Sequence, residues 1–364
     1  MVPSVSILGA GPAGFALAAD LQNNGTKTLL YSHRTHLRHA KAVMKTGRLQ
    51  LSCAMEGFTN LRLTTDMTEA VAFSKVLILT VPSTGQLTLL DELKHHDLRR
   101  HTIIAIPGNL FSLLKDADIE AENILETNLS PYSCRMEDGN LLVFGRKSVV
   151  FIAARRNIAV RPDFYEDIQS IFPTKLRWCD SVIEVCLSNV NGVFHPLMIL
   201  MNAGRIENTA GDFLLYRDGL TRSVANAMLA IDRVRMEIGA KFGLGTMSAI
   251  DISNECYGQA FSDLVDLARN SPPHNKLRAP ADIENRNISE DVADLLVCWH
   301  GLAEKVGVDA SPITAVIVLA EMATGIEFRK TGRNLQKLHL EGVGRGGLIS
   351  MFRPYLASQN EARL

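Results

Sequence analysis

The sequence predicts an α/β protein: an N-terminal doubly wound parallel sheet followed by an all-helical C-terminal domain. Three observations carry that expectation. Gly9-Ala10-Gly11-Pro12-Ala13-Gly14 stands between a strand pattern at Ser4–Leu8 and a helical pattern at Pro12–Asn23. Continuous apolar runs recur at Val76–Val81, His101–Ile106 and Val149–Ala153, as expected for strands covered on both faces of a parallel sheet. From about Asn202 onward strand signals almost vanish and helical periodicity takes over.

In the Pro12–Asn23 segment Phe15, Leu17, Ala18 and Leu21 recur at helical spacing, and Asn24-Gly25 turns the chain into a second strand at Thr26–Tyr31. Strand and helix alternating at this rhythm imply a layered α/β core. The last strand-like run is Ser181–Leu187, which places the boundary near 185 and predicts domains 1–185 and 186–364. In the second half, Phe213–Phe242 reads as one long amphipathic helix, with Val224, Met228, Ile231, Val234 and Ile238 on its apolar stripe. Ala260–Ala268, Glu290–Val306 and Ile313–Met322 are helical as well, separated by Pro-containing breaks.

Composition narrows the functional classes. A chain of 364 residues with 46% hydrophobic content supports two cores. A formal net charge of -1 lacks the cationic excess that phosphate neutralisation requires, so nucleic acid is not an expected partner. No apolar run reaches the roughly 18 residues of a membrane span, and the N-terminus lacks a signal-type charged and apolar pair of regions. No membrane association is expected, and the expected location is the cytoplasm. Cys53, Cys134, Cys179, Cys186, Cys256 and Cys298 are scattered without a C-x-x-C pair, so no metal site is predicted and the thiols read as reduced.

The glycine string fits the dinucleotide-binding fingerprint of a Rossmann domain in its proper context, after a strand and opening a helix. Gly9 permits the tight turn, Gly11 lets backbone approach a pyrophosphate, and Gly14 lets helix pack against strand. The helix start, including Pro12, Ala13 and the Ala10 turn, then presents free N–H groups and a positive dipole end to the phosphates. An NAD-preferring site ends its second strand on an acid. Here that strand ends Tyr31-Ser32-His33-Arg34. Ser32 and Arg34 suit a 2′-phosphate, so NADPH is the expected cofactor, with NADH use also open. FAD is disfavoured, because the one Gly-Asp, Gly211-Asp212, follows no apolar strand.

Ser188-Asn189-Val190-Asn191-Gly192-Val193-Phe194-His195-Pro196 lies at the junction of the halves. Imidazole suits proton transfer near neutrality, so His195 is the candidate acid–base group. Asn189 and Asn191 read equally as caps of a strand end or as hydrogen-bonding partners of cofactor or substrate. Downstream, Asn285-Arg286-Asn287-Ile288-Ser289-Glu290-Asp291-Val292 opens an apolar helix. Ser289 reads as an N-cap with two acids in the first turn. The sharper reading has Asp291 orienting His195 and Arg286 gripping a substrate carboxylate in a bidentate manner. Tyr216 reads as a core aromatic or a substrate contact. Thr331-Gly332-Arg333 reads as a site element or as a turn with a solvated Arg.

These residues, with Val81-Pro82-Ser83-Thr84-Gly85-Gln86, Ser130-Pro131-Tyr132-Ser133-Cys134-Arg135, Tyr216-Arg217-Asp218 and Ala230-Ile231-Asp232, carry a resemblance over nearly the whole chain. The chain resembles the octopine/nopaline dehydrogenase family of opine dehydrogenases, in particular the octopine-synthase type of crown-gall plasmids. The resemblance implies that His195 and Asp291 carry proton transfer, that Arg286 holds the oxoacid, and that the Pro82 segment touches the cofactor. It also implies the substrates, an amino acid and a 2-oxoacid such as pyruvate, joined through an imine that the nicotinamide reduces to an octopine-like secondary amine. Where the family carries His-Arg-Tyr-Leu, this chain has Asn285-Arg286-Asn287-Ile288, which points to a different amino-acid substrate. Competing readings are an NADP-dependent 2-hydroxy-acid or 2-oxoacid dehydrogenase and a non-enzymatic NADPH sensor.

Overall fold

The computed structural model describes residues 3–114, 119–155 and 162–354. The chain forms two compact units, one from Met1–Ser112 and Asp116–Cys179, the other from Leu113–Lys115 and Asp180–Leu364.

The first unit is a Rossmann-like domain. Its strands are β1 (Ser4–Leu8), β2 (Lys27–Tyr31), β3 (Arg48–Cys53), β4 (Gly57–Asn60), β5 (Leu63–Thr64), β6 (Val76–Leu79), β7 (Thr102–Ala105), β8 (Asn123–Thr127), β9 (Tyr132–Glu137), β10 (Asn140–Arg146), β11 (Val149–Ala154) and β12 (Lys175–Trp178). Eight of them form one sheet in the order β12-β11-β8-β7-β6-β1-β2-β5. Every pairing in it is parallel except β11 with β8. The apolar runs are central strands: Ile7, Leu77, Ile78, Ile103 and Ile104 are fully buried. β6 and β7 end one or two residues before their apolar runs do.

A second sheet, β4-β3-β10-β9, was not anticipated. Its β9–β10 hairpin closes on Asp138-Gly139, both with positive φ (48° and 80°), the Asp-Gly chemistry of a tight hairpin turn. Ser130–Arg135 therefore runs into an edge strand of this small sheet. Tyr132 donates its hydroxyl to Asp20 Oδ2 at 2.6 Å, and Arg146 reaches Asp20 Oδ1 at 2.7 Å, tying the sheet to the first helix.

The second unit is helical, and several elements differ from expectation. Ser181–Leu187 is a helix, Val182–Leu187, with the Ser181 hydroxyl accepting from Ile183 N at 3.2 Å. Its all-round apolar character reflects burial on every side, which a strand and a core helix share. The unit boundary accordingly falls at Cys179/Asp180. The Phe213–Phe242 segment is two helices, Leu215–Gly219 and Arg222–Lys241, because Thr221 supplies a fresh N-cap to Val224 N. Within 260–270 the helix begins only at Leu264, where the Asp263 carboxylate accepts from Val265 N and Asp266 N. Together Val182–Leu187 and Asn191–Leu200 make a stretch as long and apolar as a membrane-crossing helix, yet 83% of it is buried within the protein.

A buried ion pair organises this unit. Arg235, with no exposure, contacts Asp232 (Nε to Oδ1 2.8 Å) and donates to the Leu187 carbonyl at 2.7 Å and to the Met247 carbonyl. Asp232 Oδ2 in turn accepts from Ala249 N at 2.9 Å. Removing one partner of such a pair leaves the other charge uncompensated in low dielectric, at a cost of about 3–5 kcal/mol. Asp232→Ala is therefore expected to lower the urea midpoint of the second unit by that equivalent. An unchanged midpoint would show that the pair is not structural.

Candidate active site

The cofactor cradle belongs to the first unit. Gly9 sits at φ +139°, a conformation closed to residues with a Cβ. Thr80 locks the turn by donating its hydroxyl to the Gly9 carbonyl at 2.9 Å. A Cβ on Gly14 would stand 1.9 Å from that same oxygen, so only glycine allows the helix to pack this close. A Cβ on Gly11 would meet nothing within 4 Å: its backbone faces open space. No side chain caps the Pro12–Asn23 helix at Gly11, leaving the first-turn N–H groups for an anion.

This turn floors a cavity of about 280 Å³. Gly9, Ala10, Gly11, Ser32 and Pro82 line it, while Pro12, Ala13 and Gly14 form the helical turn beneath. Arg34 is not among the lining residues; its Nε donates to the Thr65 carbonyl at 3.4 Å. The sequence reading missed Tyr31, His33, His36 and Thr80, which also line the cavity. No carboxylate lines it among the described residues. Behind it, Glu92 accepts from the Tyr31 hydroxyl and lies 3.7 Å from His33 Nε2. The open glycine backbone, the uncapped helix start and the acid-free wall together fit a nicotinamide dinucleotide.

The candidate acid–base group, His195, lies in the second unit. Asn189 Oδ1 accepts from Asn191 N at 3.3 Å, so Asn189 shapes the turn between two helices and not a strand end. Asn191 opens the Asn191–Leu200 helix, which carries Pro196 in its interior. Gly192, one turn before His195, lets this helix approach the Val297–Val306 helix: a Cβ there would stand 2.7 Å from the Trp299 ring. His195 is on the same helical face, and its Nδ1 reaches Asp291 Oδ2 at 2.7 Å.

Asp291 is presented by an unusual segment. The short helix Arg286–Ser289 is capped by Asn285, whose side chain accepts from Asn287 N at 3.0 Å. Ser289 is thus a helix end and not the N-cap. The chain then winds as a π-helix over Asp291–Leu296 before the α-helix Val297–Val306. Arg333 N donates to the Ala293 carbonyl at 2.8 Å. Gly332 makes room for it, since a Cβ there would lie 2.3 Å from the same oxygen. Arg333 is not solvated: it is 3% exposed, with Nε 3.9 Å from Asp294 Oδ1. Such wider turns cluster at functional sites because they re-aim side chains.

Around this pair, Tyr216 places its hydroxyl 3.3 Å from His195 Nε2. Arg286 pairs with Glu290 at 2.8 Å, and its side chain is 65% exposed against 3% for the glutamate. Burial pushes the Asp291 carboxyl above the usual carboxylate range, with the His195 contact opposing that rise. The arrangement can accept and return a proton at Nε2, with Asp291 fixing the ring from the other side.

Comparison with known proteins follows the same division. The family model described as NAD/NADP octopine/nopaline dehydrogenase, alpha-helical domain, matches residues 178–324, and the NAD-dependent glycerol-3-phosphate dehydrogenase N-terminus matches residues 4–114. The protein ocs of Agrobacterium tumefaciens (strain Ach5) is 26% identical, covering 95% of this chain and 98% of its own. The opine dehydrogenase of Arthrobacter sp. (strain 1C) is 29% identical, covering 95% and 97%. Residues 178–324 thus carry the alpha-helical domain of the octopine/nopaline dehydrogenase family. A solved octopine dehydrogenase with NADH and L-arginine shares the fold, at TM-score 0.74 and 17% identity, covering 96% of this chain and 98% of that one. As an opine dehydrogenase the chain is an NAD(P)-dependent oxidoreductase.

Burial of Asp291 in this opine dehydrogenase sets a testable trade. Its raised titration means that the folded protein holds the carboxyl proton more tightly than the unfolded chain, whose value is near 3.9. Its penalty is absent below that value and grows as pH rises through and beyond it. Asp291→Asn should therefore gain melting temperature relative to the parent between pH 4 and pH 7.5, while losing on the order of 10³–10⁴ in kcat. A parallel loss of both quantities at every pH would show that Asp291 serves structure only.

Proposed function

We propose that this opine dehydrogenase condenses an amino acid with a 2-oxoacid, pyruvate in the first instance, and reduces the product to a secondary-amine dicarboxylate. The reading is supported above all by the 2.7 Å contact of His195 with the buried Asp291, in a chain whose other unit offers a dinucleotide cradle. The Arthrobacter relative's name, opine dehydrogenase, is consistent with it.

The residues divide the work as follows. The amine nitrogen bonds to the carbonyl carbon, and the carbonyl oxygen leaves as water to give an imine. His195 Nε2 is the ring nitrogen not used by Asp291, so it carries two protons in turn from the amine nitrogen to the oxygen, the first giving the carbinolamine hydroxyl and the second letting it leave as water. Reprotonated by solvent, it then gives a proton to the imine nitrogen as the carbon is reduced. Asp291 holds the ring tautomer and stabilises its protonated form. Arg286 grips the oxoacid carboxylate on the exposed face of its pair with Glu290. Asn189 and Asn191 hold the turn from which His195 projects. When bound, the nicotinamide supplies the hydride that reduces the imine carbon.

Ser32 lines the cavity where an NAD site carries an acid, and NADPH is the cofactor this wall favours. Pro82 and the glycine turn, with Ala13 and Pro12 in its helical start, hold the pyrophosphate end; Arg34 serves the 2′-phosphate from beside the cavity.

Absorbance at the nicotinamide band tests the reaction. Pyruvate alone should leave NADPH unoxidised, and adding the correct amino acid from a panel should start turnover. Oxidation with pyruvate alone would instead make the chain a 2-oxoacid reductase. His195→Ala should lower kcat by about 10²–10⁴ with NADPH affinity retained. Ser32→Asp should weaken NADPH binding at least tenfold, about 1.4 kcal/mol, and leave NADH binding within a factor of about three. Equal effects on both cofactors would refute the 2′-phosphate assignment.

A further inference from the structure

His195 has two ring nitrogens, and the structure accounts for both. Nδ1 faces Asp291 Oδ2 at 2.7 Å. With Asp291 ionised, as the proposed function requires of the group that stabilises the protonated ring, its oxygens only accept, so Nδ1 carries the proton and the neutral ring presents a lone pair on Nε2. The Tyr216 hydroxyl stands 3.3 Å from that lone pair. Burial, with Tyr257 and Asp291 nearby, pushes the Tyr216 hydroxyl far above its ordinary titration range. The phenol therefore remains a neutral donor.

Its position is constrained on several sides. Tyr216 belongs to the Leu215–Gly219 helix and is 7% exposed. Its ring lies 6.2 Å from Phe194 and 4.9 Å from His274. His274 packs edge-on against Tyr257 at 5.0 Å and is pinned by Ser271 Oγ, 2.8 Å from its Nδ1. Phe194 is the residue before His195, so the phenol is held against the very helix that carries the imidazole.

We propose that Tyr216 is a positioning residue for His195, donating its O–H to Nε2 and locking the Nδ1–H tautomer from the side opposite Asp291. The contact is long for an O–H···N bond, so a substrate amine or hydroxyl displaces it at small cost. Tyr216 thereby holds the lone pair aimed at the substrate position until the substrate arrives. This deepens the proposed function, since it rests on His195 as the group that moves the proton.

The test pairs imidazole ¹⁵N spectroscopy with kinetics on Tyr216→Phe, which keeps the ring and its packing. His195 resonances are assigned by their loss in His195→Gln. In the parent protein Nδ1 should appear protonated and Nε2 as a hydrogen-bonded acceptor. In Tyr216→Phe the Nε2 signal should move towards that of an acceptor without a donor. kcat should fall about three- to tenfold, with NADPH affinity and melting temperature unchanged. An Nε2 signal unchanged from the parent overturns the proposal, and so does an unchanged kcat alongside a moved signal. The spectroscopic arm needs no turnover, so a tautomer lock seen in a chain that condenses no substrates would refute the function and not the lock.

Discussion

Everything in the second unit converges on keeping a carboxylate out of water beside an imidazole. Asp291 is 5% exposed and bonded to His195 Nδ1, an arrangement that costs desolvation and stands only if the partner is held in place. Glycine at 192 brings the histidine helix against Trp299, and glycine at 332 lets a backbone N–H reach the carbonyl of Ala293. Asp291 opens the π-helix Asp291–Leu296, and the Gly332-Arg333 turn satisfies the Ala293 carbonyl within it.

The first unit solves a different electrostatic problem with backbone alone. Its glycine turn offers an uncapped helix start to a pyrophosphate, and its rigidity comes from Thr80, whose hydroxyl holds the Gly9 carbonyl. In the proposed reading, selectivity at the ribose falls to side chains after β2. Glu92 is engaged by Tyr31 and faces His33, and Ser32 lies on the cavity surface.

Helix packing in the second unit is anchored by a charge pair instead of a purely apolar core. Arg235 joins the end of one helix at Leu187 to the chain at Met247, with Asp232 balancing it and capping Ala249. Because Leu187 directly precedes the Ser188–Val190 turn, the same guanidinium fixes the approach to the His195 helix. Stability and site geometry therefore share one buried cation.

The Rossmann sheet was legible because burial on both faces leaves continuous apolar runs, and because Gly9, Gly11 and Gly14 are needed by any sequence that makes this turn. His195, Asp291 and Tyr216 could be named from the chain by residue type and neighbourhood. Their distances could not, since 96 residues separate His195 from Asp291 and only packing brings them together. The small second sheet was missed although Asp138-Gly139 announces its hairpin and Arg48-Leu49-Gln50-Leu51 alternates; β4, its short outer strand, buries only Thr59. Ser181–Leu187 misread as strand for the opposite reason: a helix buried all round has no polar face to reveal its period. The chain by itself singled out His195, Asp291 and Tyr216 as candidates, through residue type and local neighbourhood. Tertiary structure alone decided the π-helix at Asp291, the burial of Arg333 and the Tyr216–His195 contact, because each depends on a partner remote in sequence.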